Sequence, residues 1–324
     1  MHPRTLGLLA AIPLLTSTFA AAQDWPTRPL TMVVPFSAGG PVDVLGRILQ
    51  PHLSEVLGQQ VIIENVTGAG GMIGSLRVAQ STDNNQFVLG SIGTHALNQS
   101  LYKKPLYNVT HDFAPVILIA EAPLVLIVRK DLPAANLKEF TAYAKAHHDK
   151  MQFGSGGTGT SAHVGCVLLN QAIGVEVTHV PYRGGGPAMQ DLIAGRVDYV
   201  CNYVSTALPA TQSQSAKVIA TLARARTPAF PTIATAGEQG LTDFDVSAWN
   251  AIYMPKTTPP EIVEKLNAAV SRVLDTPAVR KRLGDIGLIV TTPDRRSPAY
   301  LAKFTANEIN RWAVPIKASG VTAE

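Results

Sequence analysis

The chain has 324 residues, a formal net charge of +4 at pH 7 and only 6% aromatic residues. Nucleic-acid binding calls for a basic stripe with interleaved aromatic side chains, and the sequence contains none, so we expect no nucleic-acid partner. The length suggests two domains built around two cores.

The N-terminal segment has the pattern of a leader. Arg4 precedes an almost wholly apolar run over residues 6–20, and the small residues 20–22 form a cleavage site. This pattern predicts a secretory signal peptide over residues 1–22, cleaved near Ala22. The run is too short for a membrane anchor. Its bacterial style suggests export of the mature chain to the periplasm, with plain secretion as the alternative.

The two cysteines, Cys166 and Cys201, would meet an oxidising compartment after export. They could close a disulfide across roughly 35 residues. They could equally be two buried thiols that act as small hydrophobes.

The first part of the chain alternates short apolar runs with helical periodicity, which argues for an α/β fold with a mainly parallel sheet. Pro51 predicts a kink in the first helix. The pattern predicts strands over 30–35, 61–63 and 87–90 and helices over 45–57 and 72–79.

A long apolar stretch, residues 113–130, is rich in β-branched residues and exceeds one ordinary strand. We interpret it as two strands joined at residues 121–123, the second leading out of the first domain. An extended segment at 244–254 leads back. Between and after them, the pattern predicts helices over 137–147, 162–173, 187–194, 259–274 and 298–312, and strands over 151–153, 175–180 and 197–202.

Two crossings imply two lobes that close on a cleft. The predicted boundaries are residues 23–127 plus 248–324 for a discontinuous domain I and 128–247 for domain II. The expected architecture is therefore two mainly parallel-sheet domains joined by two extended crossing strands.

Glycine-rich turns are the main candidates for function. At least three of them directly follow a strand and precede a helix, where exposed N–H groups and the helix dipole favour anions. The four turns are PFSAGGPVD (35–43), GAGGMIG (68–74), GSGGTGTSAH (154–163) and PYRGGGPAMQD (181–191).

Nucleotide and hydrolase chemistry fit these turns poorly. Thr160 stands where a Walker loop needs lysine, and GAGGMIG matches a dinucleotide fingerprint only approximately. Ser161 and His163 could form an exported hydrolase, but no G-x-S-x-G elbow is present. Ser161 is expected to cap a helix, with or without offering its hydroxyl to a ligand. We expect no catalytic residue, no cofactor and no metal.

Four side chains in these turns leave alternatives open. Asp43 either caps its helix and rigidifies the loop or contacts a ligand. His163 either reaches the cleft or packs at the helix terminus. Tyr182 either walls the cleft or closes its turn. Arg183 faces solvent, a partner or the ligand.

Six segments stand out in chain order: VPFSAGGPVD, ENVTGAGGMIG, GSGGTGTSAH, HVPYRGGGPAMQDLIAGRVDY, TTPPEIVEKLNAAV and EINRWAVPIKASGV. As a set, they resemble the Bug-type (TctC-like) extracytoplasmic solute-binding proteins of tripartite tricarboxylate transporters, over nearly the whole mature chain.

The resemblance implies a two-lobed, type II-like periplasmic binding protein of the Venus flytrap form. Such a protein holds a small organic carboxylate between its lobes and delivers it to a two-component membrane permease, and we expect a monomer. A sensor that docks on a membrane receptor is the alternative. The implied ligand-binding residues are Phe36, Ser37, Gly39, Gly40, Asp43, Thr94, His95, Ser155, Thr158, Gly159, Ser161, His163, Tyr182, Gly184 and Asn202.

Asn202 is a departure from the family pattern. Many relatives carry aspartate at this position, where a carboxylate could meet a ligand ammonium group. An asparagine removes that charge, so we expect a plain carboxylate, dicarboxylate or aromatic, in preference to an amino acid.

Overall fold

The computed structural model describes residues 25–319 and 322, so the signal peptide predicted at 1–22 lies outside the described residues. Strands and helices alternate in the first part of the chain, as the apolar periodicity predicts. The elements are β1 (Leu30–Val34), α1 (Pro41–Leu57), β2 (Val61–Asn65), α2 (Met72–Ala79), β3 (Gln86–Ser91), α3 (Asn98–Leu101), α4 (Val109–Asp112) and β4 (Phe113–Arg129).

A second cycle of the same alternation follows β4. Its elements are α5 (Leu137–His147), β5 (Gln152–Ser155), α6 (Ser161–Ile173), β6 (Thr178–Pro181), α7 (Gly185–Ile193), β7 (Tyr199–Tyr203), α8 (Val204–Gln212) and β8 (Ala216–Thr221). The chain then returns through β9 (Ser247–Pro255) to α9 (Pro260–Asp275), α10 (Pro277–Asp285), β10 (Ile289–Val290) and α11 (Pro298–Ser319).

The strands form one continuous, curled sheet with the order β2-β1-β3-β9-β4-β7-β5-β6, and β8 and β10 also pair with β4. Two parallel groups, β2-β1-β3 and β6-β5-β7, lie on either side of the antiparallel pair β9 and β4. We call the first group with its helices the first lobe, and β5 to β8 with α5 to α8 the second lobe. The predicted α/β fold with two crossing strands is confirmed. The exact domain boundaries stay a prediction.

The strand β4 corrects the predicted pair of strands over 113–130. It is one strand of 17 residues with no break at residues 121–123. Pairing to β9 continues through Glu121 and Pro123, and β7 takes over at Leu124. Because every part of the segment finds a partner strand, its backbone groups are satisfied without a turn.

An ion-pair network links α11 to β9 and to the segment between β8 and β9. Glu308 of α11 accepts the indole N–H of Trp249 at 2.9 Å and pairs with Arg311 at 3.1 Å. Arg311 also pairs with Asp245 at 3.1 Å, and Arg224, three residues after β8, reaches the same carboxylate at 3.2 Å. The long C-terminal helix is thereby tied to the segment that enters β9.

The described residues contain no helix with both the length and the apolar character needed to cross a bilayer.

The structure joins Cys166 of α6 to Cys201 of β7 in a disulfide, with Cα atoms 5.3 Å apart and 35 residues of separation. Both residues are fully buried. The bond clamps a helix onto its neighbouring strand within the second lobe.

We expect thiol titration of the unfolded, unreduced protein to find no free thiol, since both cysteines are consumed in the bond. Titration after reduction is the control and should find both. Replacing the two cysteines by serine should lower the free energy of unfolding by about 3 kcal/mol through loss of the loop constraint. Reactive thiols in the unreduced protein would contradict the pairing.

Candidate anion-binding cleft

All four glycine-rich turns connect a strand to the following helix, and they meet in the cleft between the lobes. The β1–α1 and β2–α2 turns come from the first lobe, and the β5–α6 and β6–α7 turns come from the second. A cavity of about 660 Å³ lies among them, lined by Pro35, Phe36, Thr67, Gly68, Ala69, Gly70, Gly71, Ile73, Tyr102, Gly156, Gly157, Thr158, Tyr182 and Arg183.

A second, smaller cavity of about 30 Å³ adjoins the first and shares Phe36 and Gly156 with it. It lies against the N-terminal turns of three helices, with Pro41 of α1, Ser161 of α6 and Gly185 of α7 in its wall. The first N–H groups of a helix have no partner within it, and they carry the positive end of the helix dipole. Such a space suits one small anionic group.

Two buried donors near this cavity have no hydrogen-bond partner among the described residues: the hydroxyl of Ser37 and the amide nitrogen of Asn202. Ser37 comes from the first lobe and Asn202 from the second. A Cβ on Gly184 would lie 2.0 Å from Ser37 Oγ, and one on Gly185 would lie 2.8 Å from Asn202 Nδ2. Both donors therefore converge on the start of α7. An unsatisfied buried donor costs about 1–3 kcal/mol, a cost that a bound acceptor removes.

The two lobes touch across the cleft, so the structure is closed. Tyr102 of the first lobe donates its hydroxyl to the carbonyl of Thr158 of the second at 3.2 Å. Gly70 has a φ of +62°, and a Cβ there would lie 2.3 Å from the same carbonyl oxygen. Gly93 approaches Gly159 in the same way, because a Cβ on Gly93 would lie 3.1 Å from the carbonyl oxygen of Gly159. Glycine permits this close approach of the two backbones.

The structure places Asp43 in a rigidifying network below the first turn. Its carboxylate accepts hydrogen bonds from Gly39 N–H at 2.8 Å, Arg47 Nε at 2.7 Å and Asn65 Nδ2 at 3.0 Å. Burial alone would raise the pKa of Asp43, but the three hydrogen bonds outweigh it and hold the pKa below its usual range. The carboxylate lies outside the lining of both cavities, and its predicted ligand contact stays a prediction.

Thr94 and His95 lie behind the wall of the cleft, and neither residue lines the larger or the smaller cavity. Thr94 Oγ1 accepts Ser91 N–H at 3.0 Å and lies 2.8 Å from His95 Nδ1. The His95 ring stacks on Tyr253 at 4.1 Å, and its complete burial lowers its pKa to about 3. This imidazole is therefore neutral and packed as part of the core.

The start of α6 differs from its prediction. Thr160, and not Ser161, caps the helix, because Thr160 Oγ1 accepts His163 N–H at 3.3 Å. Ser161 Oγ instead lies 2.9 Å from the hydroxyl of Tyr203, beside the smaller cavity. The capping position moves to Thr160 because α6 begins at Ser161, one residue earlier than the apolar periodicity predicts.

His163 packs inward at the helix terminus. Its Nδ1 accepts Gly159 N–H at 3.2 Å, and its ring stacks on His179 at 4.1 Å. His179 Nε2 lies 2.7 Å from Ser155 Oγ. This stacked pair and Ser155 brace the β5–α6 turn from below.

Three side chains of the site carry no strong sequence signal: Asn98, Tyr102 and Tyr203. Asn98 presents to Gly159 an Oδ1 that has no hydrogen-bond partner among the described residues. Tyr102 and Tyr203 line the larger and smaller cavities respectively. Tyr102 follows α3, a helix of four residues whose apolar pattern is too short to detect. The sequence signal available for Tyr203 was its position as an aromatic residue at the end of strand β7, directly before helix α8.

The two stacked histidines predict a pH dependence of stability. Burial lowers the pKa of His163 to about 4; burial, with a smaller contribution from His163, lowers that of His179 to about 3. The unfolded state takes up protons near pH 6.5, so stability is complete above that pH and falls as the pH drops toward 4. The slope reaches at most about 1.4 kcal/mol per pH unit for a fully buried histidine and is smaller for His179, which solvent partly reaches.

Urea unfolding of the ligand-free protein between pH 7 and pH 4.5 measures this slope. His179→Gln should make the slope shallower, whereas His148→Gln on the exposed end of the α5 segment should leave it unchanged. An identical slope in wild type and His179→Gln would show that the pair does not control acid stability.

The family profile described as "Tripartite tricarboxylate transporter family receptor" matches residues 45–321. A UPF0065 protein in the TAR-I ttuE-ttuC' intergenic region of Agrobacterium vitis is 36% identical over 99% of this chain and 92% of its own length. Protein BugT of Bordetella pertussis is 32% identical over 97% of both chains.

Two solved structures are similar over nearly the full length. MatC (Rpa3494) from Rhodopseudomonas palustris with bound malate is 41% identical, with a TM-score of 0.87 over 90% of this chain and 100% of that chain. R. palustris Rpa4515 with adipate is 32% identical, with a TM-score of 0.88 over 92% of this chain and 99% of that chain. The expected two-lobed binding-protein fold is confirmed, and the chain belongs to the tripartite tricarboxylate transporter receptor family of extracytoplasmic solute-binding proteins, which are not enzymes.

Proposed function

We propose that the protein binds a small plain carboxylate between its lobes, with one carboxylate group in the smaller cavity, and passes it to a two-component membrane permease. The observation that carries this proposal is the convergence of three helix N-termini with the unpartnered donors Ser37 Oγ and Asn202 Nδ2. Every one of these groups donates a hydrogen bond, which matches an acceptor-only carboxylate.

The donors come from both lobes, and this division drives closure. The Pro41 turn and Ser37 belong to the first lobe, whereas Ser161, Gly185 and Asn202 belong to the second. A ligand held by one lobe therefore gains the remaining donors only when the cleft closes. This difference in affinity is what shifts the population toward the closed form.

The ligands of two relatives favour a dicarboxylate over the aromatic alternative. Malate is bound in MatC and adipate in Rpa4515, and both are plain dicarboxylates without an amino group. The larger cavity of about 660 Å³ has room for the remainder of such a molecule. Asn202 in the smaller cavity presents an amide where a carboxylate would repel the ligand.

The remaining predicted assignments form part of the same proposal. The leader is cleaved near Ala22, and the mature monomer works in the periplasm, which the extracytoplasmic family supports. Eight of the predicted site residues line a cavity, carry a buried donor near the smaller cavity without a partner among the described residues, or closely approach the opposite lobe. They are Phe36, Ser37, Thr158, Gly159, Ser161, Tyr182, Gly184 and Asn202.

Asn202→Asp should weaken malate binding by on the order of 100-fold, because a second negative charge enters the smaller cavity beside the ligand. The same variant should gain affinity for L-aspartate relative to malate, since its ammonium group can meet the new carboxylate. Calorimetry with both ligands measures this. Asn307→Asp on the exposed face of α11 adds the same charge away from the cleft and is the matched control. Unchanged malate affinity in Asn202→Asp would refute the carboxylate site.

Gly70→Ala should block closure, because its Cβ would lie 2.3 Å from the Thr158 carbonyl. Gly58→Ala is the matched control: its φ of +66° carries the same backbone strain of about 1 kcal/mol, and nothing lies within 4 Å of its Cβ. Both variants should lose similar stability. Small-angle scattering should show malate-induced compaction in wild type and Gly58→Ala and none in Gly70→Ala, with malate affinity at least about tenfold weaker. Normal compaction of Gly70→Ala would contradict this.

A further inference from the structure

We propose that Arg183 binds the second carboxylate of the ligand and thereby selects dicarboxylates over monocarboxylates of the same length. The inference rests on the proposed function, since it takes the first carboxylate to occupy the smaller cavity. It assigns a specificity-determining role to a side chain for which the sequence left solvent, partner and ligand equally open.

The larger cavity contains a single charged side chain. Among its described lining residues Arg183 is the one ionisable group that is charged at neutral pH, and no aspartate or glutamate lines either cavity. The helix N-termini of the smaller cavity supply only partial positive charge. A ligand with one carboxylate is matched by that partial charge, and a ligand with two is matched only when the guanidinium contributes.

The guanidinium of Arg183 has no hydrogen bond or ion pair within the part of the chain that the structure describes. Other arginines near the cleft loops are already engaged: Arg47 pairs with Asp43 at 2.7 Å and Arg196 pairs with Asp191 at 2.6 Å. Arg183 therefore offers all its donors without first breaking a contact. Its planar fork suits two parallel bonds to a carboxylate.

The backbone on both sides of Arg183 is fixed, which places its side chain at the rim of the cavity. Tyr182 before it donates its hydroxyl to Asp191 at 2.7 Å. Gly184 after it has a φ of +144° and packs against Ser37 of the other lobe. The position of Arg183 relative to the smaller cavity is consequently set when the cleft closes.

The two cavities adjoin at Phe36 and Gly156, which line both. A ligand whose first carboxylate lies among the helix N-termini extends its chain past these residues into the larger cavity. Its far end then lies in the space that Arg183 borders. A monocarboxylate places a methyl group there and leaves the exposed guanidinium hydrated.

Calorimetry with two pairs of ligands tests the inference: adipate against hexanoate, and succinate against butyrate. Arg183→Gln should weaken binding of the preferred dicarboxylate about tenfold and leave its monocarboxylate partner unchanged. Arg183→Lys keeps the charge and should recover part of the loss. Lys145→Gln removes one positive charge from the exposed α5 helix of the same lobe and should change neither ligand. The tenfold difference should shrink at about 0.5 M salt, because Arg183 is exposed.

Three results would overturn the inference. If Arg183→Gln binds the dicarboxylate as wild type does, the second carboxylate lies elsewhere, and the carboxylate site itself still stands. If the variant weakens both members of a pair equally, Arg183 supports the loop or the first carboxylate instead. If wild type binds neither malate nor any of the four test acids, the inference and the proposed function both fail.

Discussion

The backbone pairing of β4 is the constraint on which the cleft depends. Its 17 residues pair with β9 toward the first lobe and with β7 and β8 toward the second, so one strand belongs to both halves of the sheet. At about 3.3 Å per residue it is long enough to carry the chain through both. Because the parallel groups are anchored on either side of this strand and β9, their carboxyl ends face each other. The glycine-rich turns at those ends are thereby opposed across the cleft.

In the proposed function, the opposed turns recognise a ligand mainly through backbone N–H groups, and this choice shapes specificity. Main-chain donors favour any small anion and distinguish poorly between carbon skeletons. In this proposal, discrimination falls to the few side chains that differ in charge, among them Asn202 of the smaller cavity and Arg183 of the larger. One scaffold can serve many organic acids by changing such positions while its glycines and its strand pairing stay the same.

The sequence predicted most helices and strands because their apolar periodicity is local: helix α5, for example, has the predicted bounds Leu137–His147. It failed where the decisive information was tertiary. The continuity of β4 at Pro123 depends on pairing with β9, which no local pattern records. The glycine turns were identifiable from composition, but the partners of Asp43 and the choice between the two alternatives for His163 were not. Both side chains are held by residues and backbone groups whose proximity only the fold creates.

The contact of Gly70 with the Thr158 carbonyl has a kinetic consequence. When backbone meets backbone across the cleft, a solute held by both lobes must lose its contacts to one lobe before it leaves, so its dissociation rate follows the opening of the cleft. Tight capture and quick delivery then conflict within the isolated molecule. Docking on the membrane partner resolves the conflict if it favours the separated form, and the residence time of the solute becomes a property of the complex.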